Sequence, residues 1–278
     1  MMRTKKVQIT NKKTDFKNLE NSRLSIQISL DGFSFCIYDE ELELFTALLH
    51  YEFDSKAKTP TMHLENIMNI FKENVLLQKA YKKVQVIHSN NMATFVPKVF
   101  FDEKYLKSYL KHTVKVFDND FIVYDEILQS EIVSVYIPFV NVNNFLFDHF
   151  GAFEYTHSSS ILVKKLIDTY KNTNKQYIFI HVEDHSFEMV FLDNGNFKMY
   201  NSFQYRTKED FIYYILFTAE QLSLNPEAFE LVFLGAIDEK SDLYKIAHQY
   251  IRNISFVENS QSKLKNLPDH SFYTLLNY

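Results

Sequence analysis

Apolar and polar residues alternate over 24–30 (LSIQISL), the period-2 pattern of a strand with one face buried. Asp31-Gly32 follows as a hairpin signal, 33–38 returns as a second strand, Asp39-Glu40-Glu41 turns again, and 42–53 makes a third. The period then becomes helical. After Thr59-Pro60-Thr61, with Thr61 as N-cap, residues Leu64, Ile67, Met68, Phe71 and Val75 share one face. Residues 84–88 read as a strand, and Asp102 caps a second helix striped by Leu106, Tyr109 and Leu110.

That order recurs. Strands at 176–183, 186–193 and 196–205 are joined by turns at Glu183-Asp184-His185 and Asp193-Asn194-Gly195. Thr207 caps a helix bearing Phe211, Ile215, Ala219 and Leu222, which Pro226 helps to end. Residues 230–234 form a strand, and Asp238 caps a long helix bearing Leu243, Ile246, Ala247 and Tyr250. Asp102-Glu103-Lys104 and Asp238-Glu239-Lys240 open the paired helices with the same tripeptide. Between the copies lie a strand at 131–137, a helix at 139–150, a strand at 153–155 and a helix from about Ser159; a strand at 254–258 and a short helix within 268–278 close the chain. The period is too long and the copies too few for a solenoid, so the pattern predicts two similar α/β lobes, 24–157 and 158–278.

Composition sharpens this picture at few points. Seven basic residues against Asp15 and Glu20 mark 1–23 as a solvated basic tail, with no apolar core of a signal peptide. No run of about 18 apolar residues exists to span a membrane. The net charge of −5 gives no reason to expect nucleic acid, and the single cysteine, Cys36, a core residue in a strand, fits a reducing cytoplasm. Of 278 residues only four are glycine, where average usage of roughly 7% gives about twenty. Loops that bring backbone amides up to a phosphate depend on glycine, and Gly32, Gly151, Gly195 and Gly235 cannot build Gly-x-x-x-x-Gly-Lys, Gly-x-Gly-x-x-Gly or Gly-x-Ser-x-Gly.

The runs LSIQISLDGFSFCIYD, FEYTHSSS and VFLGAIDEKSDLYKIAHQYI resemble an uncharacterised bacterial family, the domain of unknown function 3822, which is placed in the actin-like ATPase superfamily. The resemblance runs from about Leu24 to the C-terminus. It implies an α/β fold of two duplicated actin-like, ribonuclease-H-like lobes, each a mixed sheet with a three-stranded antiparallel meander plus crossover helices. The superfamily binds ATP between its lobes through two strand–turn–strand phosphate loops, each with an Asp and then Gly and small hydroxyl residues, and through a Gly-rich adenosine turn.

Matched to that scheme, Ser29 stands at the first Asp position and Asp31 at the loop Gly, with Gly32 and Ser34 beside them. In the second lobe His181 stands at the Asp position, and Glu183, Asp184 and His185 replace the small residues. One glycine, Gly235, remains of the adenosine turn. His157 either faces the nucleotide cleft, or one of Thr156, His157 and Ser158 simply caps the following helix. Carboxylates add like charge where a polyphosphate would sit, and Cβ atoms block the backbone's approach. No bound ATP, no metal and no catalytic residue is therefore expected. A metal site at His181 and His185 is set behind a polar turn, because four residues apart on a strand and turn do not share a face as they would on a helix.

The expected function is that of a non-catalytic pseudo-ATPase: a cytoplasmic scaffold that binds a protein partner or itself, with no nucleic acid and no membrane span. One alternative is a divergent Mg-dependent ATPase or kinase using Asp31, Asp184 and Glu183 around Mg²⁺. A ribonuclease-H-like nuclease is the other, and the acidic balance argues against it.

Overall fold

Residues 3–10, 19–53, 57, 59–127, 130–258, 264 and 267–278 are described by a computed structural model. The chain divides into two compact units: Met1–Ile161 with Ser262–Asn266 and Thr274–Tyr278, and Leu162–Gln261 with Leu267–Tyr273.

In the first unit the alternation at 24–30 does what its period dictates. Leu24, Ile26 and Ile28 of one strand are fully buried on one face and pack against Ile67, Ile70 and Phe71 of a helix. The elements in order are β1 (Arg3–Thr10), β2 (Ser22–Ile28), β3 (Gly32–Asp39), β4 (Leu44–Phe53), α1 (Pro60–Glu73) and β5 (Lys83–His88). Then follow β6 (Ala93–Pro97), α2 (Leu106–Leu110), β7 (Val123–Glu126), β8 (Ile132–Tyr136), α3 (Val140–Phe150) and β9 (Glu154–His157). The main sheet has the order β1-β4-β3-β2-β5-β9, with β5 parallel to β2 and β9 parallel to β5. A second, antiparallel sheet, β6-β8-β7, has its own small core of Val96, Leu110, Val133, Val135 and Ile137.

Helix α4 (Ser158–Tyr170) leads into the second unit, which holds β10 (Gln176–Val182), β11 (Ser186–Asp193), β12 (Asn196–Gln204), α5 (Lys208–Gln221), β13 (Glu230–Gly235), α6 (Asp242–Tyr250) and β14 (Asn253–Phe256). Its sheet order, β12-β11-β10-β13-β14, repeats the meander-plus-parallel-strands order of β4-β3-β2-β5-β9. Ile178, Ile180, Val182, Phe187 and Met189 pack on Phe211 and Ile215 of α5 and on Ile246 and Ala247 of α6. The β11–β12 turn uses positive φ at Asn194 and Gly195, and a Cβ on Gly195 would lie 2.4 Å from the Lys171 carbonyl oxygen. A last helix, α7 (Tyr273–Leu276), ends the chain.

Several expectations need correction. Residues 3–10 of the supposed solvated tail pair with β4 from Arg3↔Phe53 to Thr10↔Ala47; residues 11–18 of that segment lie outside the described residues. Helix α1 is capped by Thr59, not Thr61, whose place inside the first turn follows from Pro60 at the start. The helix expected after Asp102 is one 3₁₀ turn (Glu103–Tyr105) and the five residues of α2. Asp238 does not cap α6. Its Oδ1 accepts from the backbone of Lys240 and Ser241, and Ser241 is the cap. Asp102 likewise accepts from Lys104, so the shared Asp-Glu-Lys tripeptides form the same local turn; at Asp102 that turn caps the 3₁₀ turn leading into α2, and at Asp238 it precedes the cap. Thr207 does cap α5, in a capping box with Asp210.

Candidate functional site

Each unit carries a polar hairpin end at the place the sequence singled out, and the two are built differently. In the first unit the β2–β3 hairpin closes where Ser29 N–H donates to Gly32 O at 3.0 Å, leaving Leu30 and Asp31 as its two-residue loop. Gly32 therefore opens β3 and is not the turn residue, and its φ is not positive. The Ser29 hydroxyl donates to Asp31 Oδ1 at 2.7 Å, and the Ser29 carbonyl accepts from His63 Nε2 at 2.8 Å. Ser34 Oγ lies 2.8 Å from His50 Nδ1. These side chains are engaged with their own hairpin and with α1.

His157, at the end of β9, has no exposure at all. Its backbone N–H donates to Asp125 Oδ2 at 3.1 Å, and the Thr156 hydroxyl and the Tyr136 hydroxyl donate to the same carboxylate. The imidazole Nδ1 accepts from the Ser159 backbone N–H at 3.2 Å and meets Ser159 Oγ at 2.7 Å, which turns Nε2 as donor toward Asn90 Oδ1 at 3.4 Å. The helix-capping alternative for this stretch is met by His157: α4 begins at Ser158, and the ring accepts from the backbone N–H of Ser159. His88 lies in the same region, its Nδ1 accepting from Phe139 N–H and its Nε2 on Asn143 Oδ1 at 3.0 Å; burial foremost, with the neighbouring His157, pushes its pKa down to about 3.

In the second unit the β10–β11 hairpin closes at Glu183 N–H to Ser186 O, 2.8 Å, with Asp184 and His185 as its loop. Register places His181 directly opposite Glu188, and period 2 puts Glu183 on the same face. The result is a buried ion pair. His181 and Glu188 are 5% and 6% exposed, with Nδ1 and Oε2 2.8 Å apart, and the Tyr200 hydroxyl donates to Glu188 Oε1 at 2.6 Å. Burial opposes the charged imidazole, but the Glu188 hydrogen bond and the charges of Glu188 and Glu183 outweigh it and raise the pKa of His181. Ser186 Oγ donates to Glu183 Oε2 at 3.1 Å. Asp184 and His185 are exposed and paired with each other at 3.3 Å.

Gly235, φ +84°, closes the back of this centre: a Cβ there would lie 2.2 Å from Val182 O and 2.9 Å from the His181 ring. Among the described residues His181, Glu183 and Glu188 are the set able to hold a divalent cation, their ligand atoms all lying within 4.8 Å of one another. Asp184 and His185, considered from sequence, are not in that set. Ser29, Asp31, Gly32 and Ser34 belong to the separate β2–β3 hairpin, and His157 to the end of β9. Sequence reasoning missed Glu188, Tyr200, Asp125 and Asn90. Glu188 was readable by counting back from the turn; the other three come together only through tertiary folding. Cys36 is fully buried, and desolvation pushes its thiol up to about 12, so it is no nucleophile.

Comparison with known proteins bears on the fold. The family model described as "Protein of unknown function (DUF3822)" matches residues 11–254. The crystal structure of a Bacteroides thetaiotaomicron VPI-5482 protein with an actin-like ATPase fold and unknown function is similar at TM-score 0.79 and 24% identity, covering 88% of this chain and 93% of that one. A chain of the PilM-PilN type IV pilus biogenesis complex is similar at TM-score 0.51 and 10% identity, over 85% and 88%. No curated protein matches the sequence. The fold is that of the actin-like ATPases, mixed α/β throughout. Among the described residues no helix is long and apolar enough to cross a membrane.

Proposed function

The chain belongs to the DUF3822 family, and on that premise we propose that it is a non-catalytic member of the actin-like fold, a cytoplasmic scaffold that binds a protein partner. The observation that carries the reading is the His181–Glu188 ion pair: the hairpin expected to receive a phosphate is occupied by a buried, internally satisfied pair of side chains. Glu183, Glu188 and Asp184 bring three carboxylates to that hairpin, with His181 and His185 beside them. A triphosphate would meet like charge there, worth on the order of a kcal/mol or more at partial burial. In the first unit the Ser29 hydroxyl is directed to Asp31, a further carboxylate at the turn. Neither hairpin loop has a glycine or a positive φ that would bare its backbone amides. Support for a partner comes from the PilM-PilN neighbour, which is a protein complex.

A second reading keeps divalent-metal chemistry, now at His181, Glu183 and Glu188 and not at Asp31 and Asp184. One thermal melt separates the two. With MgATP at millimolar concentration the proposed scaffold melts where it does without, whereas a ligand at 100 times its Kd stabilises by about 2.7 kcal/mol. A clear upward shift with MgATP overturns the scaffold reading, and a shift with Mn²⁺ or Zn²⁺ alone that Glu188→Gln removes supports the second.

A further inference from the structure

The first unit contains a cavity of about 570 Å³, within the size range of ligand and peptide pockets. Its wall is apolar, from Leu30, Pro60, Met92, Ile137 and Phe139, and lies where the β2–β3 loop, the starts of α1 and α3 and the chain between α2 and β7 come together. One polar group in that wall stands out. His63 is 1% exposed, and its Nε2 must donate, because its partner is the Ser29 carbonyl. Nδ1 therefore carries a lone pair, and among the described residues it has no hydrogen-bond partner. His63 lines the cavity, so Nδ1 is an acceptor for a donor that enters it.

The mouth is wider than the cavity. Phe117 and Phe121 are each 55% exposed, and Leu30 and Val140 are also among the exposed apolar residues. A molecule that filled only the cavity would leave this rim in water, so the surface fits an extended chain that enters the cavity and lies across the rim. Charge adds a second condition. Neither α1 nor α3 has an acidic residue in its first turn, and α3 has no side-chain cap. Lys115 stands over the Phe117 ring with no carboxylate paired to it among the described residues, while Asp120, also in the wall, keeps its charge and accepts from the Phe117 backbone N–H at 2.7 Å. Two helix N-termini and a lysine favour an anion at the rim.

Building on the partner-binding reading, we infer that this cavity and its rim dock a short apolar segment of a partner protein that carries an acidic residue, with one N–H of that segment on His63 Nδ1. The test is to pan a phage-displayed library of random peptides, about a dozen residues long, on the full chain. The expected enrichment is for sequences with large apolar residues and an acidic one. Synthetic peptides of that consensus should bind Phe121→Glu and Lys115→Glu roughly tenfold or more weakly, while both variants, changed only at the surface, melt within about 2 °C of the wild type. Absence of any consensus, or peptides indifferent to both substitutions, overturns the inference. So does a small molecule seen by native mass spectrometry on the wild type and lost in Phe121→Glu, or a dimer in sedimentation that the same variant dissociates. Failure here with no MgATP shift removes this surface and leaves the scaffold reading intact, and a MgATP shift does the reverse.

Discussion

The β2–β3 hairpin of the first unit and the β10–β11 hairpin of the second close on two-residue loops, Leu30–Asp31 and Asp184–His185. Counted from those loops, the cross-strand pair Gln27↔Ser34 in one corresponds to His181↔Glu188 in the other. Gln27 accepts from the Thr274 hydroxyl and Ser34 Oγ meets His50 Nδ1, so neither residue of this cross-strand pair carries a charge itself. His181 and Glu188 are buried and hydrogen-bonded to each other, and Glu188 helps to raise the pKa of His181. The same backbone thus tolerates two kinds of polar filling. The neutral one costs little to disturb, and the ionic one is expensive to break although it adds little net stability.

The largest expected effect tests that contrast. His181→Ala strands Glu188 in the interior and should destabilise the second unit by about 3–5 kcal/mol, read as a shift in the urea midpoint. His181→Leu combined with Glu188→Leu should recover most of that loss, while Gln27→Leu in the first unit should cost no more than about 1–2 kcal/mol. If His181→Ala and Gln27→Leu cost the same, the distinction between the hairpins fails.

Glycine substitutions come next. Gly235→Ala sets a Cβ against Val182 O in a positive-φ conformation and should cost roughly 2–4 kcal/mol, against about 1–2 for Gly32→Ala, whose Cβ would lie 3.0 Å from Tyr51 O without a positive φ. Thermal melts of the two variants give the comparison directly.

A smaller effect separates the units by pH. The pKa of His181 is raised in the folded state, so its contribution is complete below the unfolded value of about 6.5 and is lost as pH rises through the folded one. His88 is depressed to about 3, so its contribution is complete above about 6.5 and is lost as pH falls below that value toward 3. Hydrogen-exchange protection, corrected for intrinsic rates, should therefore fall at β10 as pH rises above about 6.5, and at β5 as pH falls below about 6.5. Parallel behaviour of the two strands contradicts the assignment. Smallest of all, Thr59→Ala and Thr207→Ala each remove one N-cap and should cost about 1 kcal/mol apiece, the units being alike in this respect.

Much of this was legible in the residues because the two meanders obey their own periodicity. Leu24, Ile26 and Ile28 alternate as a half-buried strand must, and the loops at 30–31 and 184–185 sit between such runs. Strands β6 and β7 were not read, since ATFVP and VYDE are short, half-exposed and held by β8 on either side. Asp125 lies in β7 and reaches Thr156 and His157 some thirty positions on, a meeting no local pattern announces. RTKKVQIT reads as a tail because it is basic, yet as β1 it lies at the sheet edge, where charged residues are common. The match of Ser29 to His181 failed for a simpler reason. Turn-to-turn counting sets Gln27 opposite His181 and Ser29 opposite Glu183.

A non-catalytic scaffold requires that both hairpins, filled by their own side chains, leave no place for a triphosphate. Isothermal titration of MgATP into the full chain measures this most directly. The prediction is heat no greater than dilution, with any Kd weaker than about 1 mM, a binding free energy smaller in magnitude than about 4 kcal/mol. A saturable isotherm with one site and a low-micromolar Kd would contradict it.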